Sequence, residues 1–367
     1  MDKPEGSKLN AEDVVDFREQ VAVGEQSGRP SSISPIRVAV LGAGGLGKAA
    51  ARIIGMKRDL RLVAVCDSKG VVFDPEGLDC TAMANHAGDL VSWGGSQPSS
   101  SRTPLMEQTD DPVGRIMELA DHIDGMLLTL PNMPNEFIPG VIERCVRTSQ
   151  GLVFVDVLKR TAAVEQTFAL GSLVKSSRSV VLTGCGATPG LLTAAAVLAA
   201  QSFIEVERVD IWWGVGIANW DAYKATIRED IAHVPGFSVE QAKAMTDEAV
   251  EAFLAPRNGL LELHHMEHAD DVLLERVGVV HSQNQVEVGG VMDTRHPKKP
   301  VSTTMTLTGI TFEGKRASHR FLLGDETSMA ANVVGPALGY LARGLWLKAH
   351  GIFGVFGSTE FLPMVVR

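Results

Sequence analysis

Lys159 stands three residues after Asp156, beyond the apolar run Leu152 to Val155. The run is short, partly β-branched and bounded by Gly151, which reads as a buried parallel strand. Open α/β sheets bind ligands at the carboxyl ends of their strands, so this lysine is expected at the mouth of a crevice. A desolvated amine beside another cation loses basicity and becomes a nucleophile towards carbonyls. Arg160 is the candidate cation. The competing reading is a surface lysine paired with Asp156.

A second group suits a dinucleotide. Gly42, Gly44 and Gly47 spell Gly-x-Gly-x-x-Gly, with Ala43, Gly45 and Leu46 between them. They follow the strand Ile36 to Leu41 and precede a helix expected from Lys48 to Met56. Such a turn lays backbone amides against a pyrophosphate. The next strand, Leu62 to Cys66, ends in Asp67, at the spacing where an acid meets the adenosine ribose hydroxyls. Asp67 favours NAD, while Ser68 and Lys69 suit a 2′-phosphate, so NAD and NADP both stay open. The strand Asp124 to Leu130 reaches the same rim. Leu130, Pro131 and Asn132 are therefore assigned to the cofactor, with a turn at Asn132 and a helix cap at Asn135 as the alternative. Gly184, Cys185 and Gly186 follow the strand Ser179 to Thr183 and join the same assignment, because small residues let backbone approach a ligand. Cys185 has no visible histidine framework and reads as a packed thiol rather than a nucleophile. The alternative to the whole site is a glycine-rich turn without nucleotide.

His264-His-Met-Glu-His268 matches an inverted zinc-protease spelling, which on a helix would set His264 and His268 on one face. A metallohydrolase is the rival this raises. A nucleotide-binding context argues against it, and no metal is assigned. His268, just ahead of Asp270 and Asp271, is the preferred acid/base. Asn219, Trp220 and Tyr223 are candidates to line a pocket for an apolar acid, with Arg228 or Arg295 on its carboxylate.

These residues need a scaffold. The length suits two domains. The pattern predicts an α/β protein: a Rossmann dinucleotide-binding domain over 36–188 and an α+β substrate domain with a mixed sheet over 189–327. A C-terminal helix and tail over 328–367 are expected to return to the first domain, with Pro336 inside the helix. Residues 69–79 read as a turn excursion, 88–104 as a surface loop, and 238–254 as one helix. Residues 1–35 are polar and hold more acids than bases, so they are expected to be a mobile arm, not a targeting peptide, with a short amphipathic helix over 14–23 as the exception. The net charge of −10 argues against nucleic acid and against an anionic membrane. No apolar run is long enough to span a bilayer. The 4 cysteines are scattered, which suits a reducing cytoplasm.

Arg37 to Ala51, Val155 to Thr161, Thr183 to Leu191, Gly214 to Trp220 and Gly324 to Asn332 together resemble the BioU family. These are saccharopine-dehydrogenase-like proteins of biotin synthesis, and the resemblance runs from Ile36 to Arg367. It implies an NAD(P)-dependent enzyme that converts 8-amino-7-oxononanoate, with carbon dioxide or bicarbonate, into the carbamate of 7,8-diaminononanoate. Lys159 matches the lysine that gives up its amino group and becomes allysine, so each chain works once. His268 matches the family's histidine. Partners are thus small molecules, and a homo-oligomer stays open. The alternatives are a multiple-turnover reductase acting on a C–N bond and a dinucleotide-sensing regulator. The fate of Lys159 separates the three.

Overall fold

In the strand Ile36–Leu41, Val38 and Val40 enter one apolar cluster while Ala39 and Leu41 enter another. Alternate strand residues point to opposite faces, so the sheet that holds this strand is covered on both sides. The computed structural model describes residues 34–90, 92, 104–132, 134–217 and 220–367, without the side chains of 220–223, 225 and 226. Among the described residues the strands are β1 (Ile36–Leu41), β2 (Leu60–Cys66), β3 (Gly70–Phe73), β4 (Leu105–Gln108), β5 (Gly125–Leu128), β6 (Val153–Asp156), β7 (Val180–Thr183), β8 (Phe203–Gly216), β9 (Leu260–Leu263), β10 (Val286–Asp293), β11 (Thr304–Thr311), β12 (Arg316–Leu322) and β13 (Gly354–Gly357).

The first sheet has the order β13-β7-β6-β5-β1-β2-β3-β4. β1 pairs in parallel with β2 on one side and with β5 on the other. β6, β7 and β13 continue the parallel set, and β3 and β4 add an antiparallel edge. The chain therefore reverses its winding at β1, and the crevice outside the carboxyl ends of β1 and β5 is a topological switch point.

Helices fill both faces. Met329–Ala349 starts at Ser328, whose hydroxyl accepts from the Ala331 amide. Glycines let it approach the sheet: a methyl on Gly344 would stand 2.7 Å from Val153 Cγ1. Leu338 and Leu341 complete that cluster, where truncating either to alanine costs about 2–5 kcal/mol. The helix Phe137–Thr148 covers the other face through Ile138 and Ile142.

The second sheet has the order β12-β11-β8-β10-β9, with β8 and β10 parallel and the other pairs antiparallel. The helix Leu191–Ala200 contributes Leu192 and Ala196 to its core. The whole is an α/β fold with a parallel-rich sheet and a second, mixed one, as the pattern predicts.

Several local expectations change. The 69–79 excursion contains β3, a strand too short to read alone and paired with β4, which is distant in sequence. β9 and β13 were not expected either. β13 is bounded by glycines and gains its form from β7. The single helix expected over 238–254 is two, Val239–Ala244 and Asp247–Leu254, because Thr246 caps the second by accepting from the Ala249 amide. Of the expected arm, residues 1–33 lie outside the described residues, as do 91 and 93–103 of the expected loop. Among the described residues no helix is long and apolar enough to cross a membrane.

Candidate active site

A cavity of about 1080 Å³ opens at the switch point. Gly42, Ala43, Gly44, Gly45 and Leu46 line it, with Asp67 and Ser68 from the end of β2 and Leu130, Pro131 and Asn132 from beyond β5. Gly42 has φ +112, a conformation open to glycine, and a methyl there would stand 2.6 Å from the Thr129 carbonyl oxygen. A methyl on Gly47 would overlap the Gly42 carbonyl oxygen, so Gly47 holds the helix against the turn and does not line the cavity. A methyl on Gly44 would meet nothing within 4 Å and would project into open space. The helix Gly45–Gly55 begins there with no side chain capping its first turn. Free amides, an open cradle and no acid in that turn fit a pyrophosphate. The Asp67 carboxylate is fixed by the amides of Lys69 at 2.7 Å and Leu90 at 2.8 Å.

The same cavity is lined by Lys159. Asp156 shapes the turn that carries it. Its buried Oδ1 accepts from the Leu158 amide, the Thr183 hydroxyl and the Gly184 amide, and its Oδ2 has no partner. Burial pushes this carboxyl up to about 6, against those three hydrogen bonds. Asp156 is therefore not the lysine's ion-pair partner. Lys159 Nζ instead donates to Asp230 Oδ1 at 2.8 Å and lies 3.5 Å from Glu229 Oε2, with its side chain 19% exposed. Burial alone would lower the amine, but the charges of Asp230 and Glu229 outweigh it and hold the amine above its ordinary value. This reverses the expectation of a lysine depressed by Arg160. The Arg160 guanidinium is turned away, with Nη2 2.8 Å from Glu267 Oε2 and Nε donating to Asn135 Oδ1 at 2.8 Å. Asn135 is thus not a helix cap. Asn132 Nδ2 reaches Glu229 Oε2 at 3.5 Å.

His268 also lines the cavity. The Ala269 amide donates to the Lys159 carbonyl at 2.8 Å, which fixes the two segments side by side. His268 Nδ1 is 2.6 Å from Asp270 Oδ2, which also accepts from the Thr188 hydroxyl at 2.7 Å. With Asp270 Oδ2 as the acceptor, Nδ1 is the donor of this pair and Nε2 is the ring nitrogen it leaves free of Asp270. His264 ends on the far side of β9, hydrogen bonded to Glu262, and His265 has φ 50. No helix joins His264 to His268, so they do not share a face, and no group of three metal-binding side chains occurs among the described residues.

The remaining assignments divide. Gly186 lines the cavity, but Gly184 and Cys185 do not. Gly184 faces Leu273 and Pro189, and Cys185 is fully buried, where burial pushes its thiol well up. Arg228 lines the cavity, yet its guanidinium is committed to Asp247 at 2.6 Å and to the Met245 and Lys224 carbonyls. Arg295 is outside, paired with Glu251 at 2.7 Å. Asn219 lies outside the described residues, as do the side chains of Trp220 and Tyr223. Sequence reasoning missed Glu229 and Asp230 as lysine partners. The signal was there: Ile227 and Ile231 set a buried face, and two acids sit beside it. The apolar walls, Trp213, Met266, Met292 and Leu323, were not assigned to the site either.

A smaller cleft of about 620 Å³ at the amino ends of β1, β5 and β6 is lined by Arg37, Asp124 and Lys348 and holds none of these groups.

The chain is 41% identical over 349 residues to (S)-8-amino-7-oxononanoate synthase BioU of Haloferax mediterranei, covering 89% of this chain and 99% of that protein. The family model Glutamate/Leucine/Phenylalanine/Valine dehydrogenase matches residues 20–105. Among solved structures, an engineered D-amino acid dehydrogenase bound to NADP+ superposes with a TM-score of 0.52 at 15% identity, covering 91% of this chain and 94% of that one. The C. glutamicum DAP dehydrogenase in complex with DAP gives 0.52 at 16% identity, covering 91% and 95%. At such identities these two show the fold alone.

Proposed function

The chain belongs to the BioU family, and from that membership we propose that it converts 8-amino-7-oxononanoate into the carbamate of 7,8-diaminononanoate for biotin synthesis, with NAD or NADP as hydride carrier and Lys159 as amine donor. The observation that carries the reading is that Lys159 lines the same cavity as Gly42–Leu46 and His268.

The neutral form of the Lys159 amine, its proton given to water, adds to the C7 ketone, and water leaves to give an imine. When bound, the dinucleotide supplies a hydride to that imine and later accepts one from the lysine Cε. Gly44 and the amides of the Gly45 helix would hold its pyrophosphate, and Asp67 its ribose. In between, the C8 amine of the substrate forms an N–C bond with carbon dioxide. Loss of hydride from Cε leaves a Cε=N bond, and water cleaves it. The nitrogen departs with the product and Cε becomes an aldehyde, so Lys159 is consumed. His268 Nε2 moves protons at the carbinolamine oxygen, and Asp270 fixes its tautomer. Trp213, Met266, Met292 and Leu323 take the methylene chain and keep water out.

Mass spectrometry of the Lys159 peptide tests this. The protein is incubated with 8-amino-7-oxononanoate, reduced dinucleotide and bicarbonate, with Lys159→Arg as control. One product per chain and an aldehyde at Lys159 are expected. Many turnovers with Lys159 intact would leave an ordinary reductase. No product with Lys159 intact would remove the substrate assignment.

A further inference from the structure

Two carboxylates face one lysine amine. Asp230 Oδ1 holds Nζ at 2.8 Å, while Glu229 stands back at 3.5 Å. Both acids are buried, with side chains 4% and 7% exposed. Glu229 Oε2 is touched by Asn132 Nδ2, but its Oε1 is buried without any partner. An unpartnered buried carboxylate oxygen is costly and calls for a ligand. Glu229 lines the cavity beside Nζ, so a cation bound next to Nζ would meet this carboxylate.

We infer that Glu229 binds the C8 ammonium of the substrate and takes its proton, freeing the C8 amine to attack carbon dioxide. The inference rests on the reading above and deepens it. Once Nζ is bonded to C7, the C8 nitrogen is its vicinal neighbour, so a carboxylate pair that spans Nζ also reaches it. Asp230 stays with Nζ and Glu229 takes the second nitrogen. The ammonium gives one proton to Glu229 and becomes a neutral amine. Its lone pair forms the N–C bond to carbon dioxide, and the second N–H proton goes to water, leaving the carbamate anion. Burial raises the Glu229 carboxyl, opposed by the Lys159 charge, so it is suited to hold a proton. Glu229 thereby selects 2-amino ketones over simple ketones.

The test uses the full chain as wild type, Glu229→Gln and Glu229→Asp. Each is given 8-amino-7-oxononanoate and reduced dinucleotide, first without and then with bicarbonate. The Lys159 adduct and the released carbamate are followed by mass. A parallel series uses 7-oxononanoate, which lacks the C8 amine. Wild type is expected to form adduct about tenfold or more faster with the amino ketone, the size of a charge-assisted hydrogen bond. Glu229→Gln should lose that preference, still accumulate the reduced adduct, and release carbamate about tenfold or more slowly; Glu229→Asp should recover part of both. The inference is overturned if Glu229→Gln carboxylates like wild type or keeps the preference. It is also overturned if Glu229→Gln, with an unchanged melting temperature, forms no adduct, since Glu229 would then serve Lys159 alone. Should that variant not fold, equal adduct formation from both ketones in wild type overturns it. No adduct in wild type removes the parent reading and this inference with it.

Discussion

His268 Nδ1 and Asp270 Oδ2 stand 2.6 Å apart, with both side chains buried. Ala269, between them, donates its amide to the Lys159 carbonyl. The acid that orients the histidine and the backbone that carries the lysine are therefore held by one short segment, at the start of the helix Asp270–Arg276. The proposed roles of His268 and Lys159 require this fixed relation, since misplacement by about 1 Å costs on the order of a hundredfold in rate.

His268→Ala should slow single-turnover carbamate formation by about a hundredfold or more, the usual contribution of a placed acid/base. Asp270→Asn should cost less, about tenfold, because the ring stays but its tautomer is no longer held. Rapid-quench rates against wild type measure both. Rates near wild type in His268→Ala would remove His268 from proton transfer, and in Asp270→Asn would remove Asp270 from orienting it.

Asp230 and Glu229 hold the Lys159 amine above its ordinary value. Only the neutral amine attacks a ketone, so wild-type adduct formation should rise with pH across the neutral and alkaline range. Removing a neighbouring negative charge lowers an amine's pKa. Asp230→Asn should therefore move the pH–rate profile to lower pH, and the ratio of rates at pH 7 and pH 9 should increase. An unmoved profile would show that Asp230 does not set the charge of the nucleophile.

The two glycines of the cradle should separate binding from folding. Gly44→Val adds bulk in open space, so dinucleotide affinity should fall about tenfold or more while the melting temperature holds. Gly47→Ala collides with the Gly42 carbonyl, so affinity and melting temperature should fall together. Fluorescence titration with NADH and NADPH, beside a thermal melt, checks both. Full affinity in Gly44→Val would move the pyrophosphate elsewhere.

Asp156 couples stability to pH. Its folded value of about 6 is above the ordinary 3.8, so the native state prefers the protonated form. That contribution is present below about pH 4 and is lost as pH rises through 6. Asp156→Asn keeps an acceptor at the Oδ1 position and cannot ionise. It should remove a loss on the order of 2 kcal/mol between pH 4 and pH 8 from the urea-unfolding curve. The same slope in both proteins would place the titration elsewhere.

Much of this molecule is written locally. The glycine spacing after an apolar strand, Asp67 after the second strand, and Lys159 after the run ending at Asp156 follow from short-range rules, because strand period, turn chemistry and helix entry involve residues a few positions apart. The same rules failed where an element needs a distant template. β13 is a strand because β7, far back in the chain, offers it a ladder.

The sequence by itself determined the α/β class, the glycine-rich turn after the first strand, the placement of Lys159 just beyond a strand end, and membership in a family through its motifs. Only the tertiary structure decided which charges meet. It set Asp230 on Lys159 across 71 positions of chain, withdrew Arg160 to Glu267, saturated Arg228 with Asp247, and left Arg295 outside the cavity. The reason is physical. Backbone periodicity is a property of neighbouring residues, whereas a charge's partner depends on where separate elements dock, and a single helix turn of difference exchanges one partner for another.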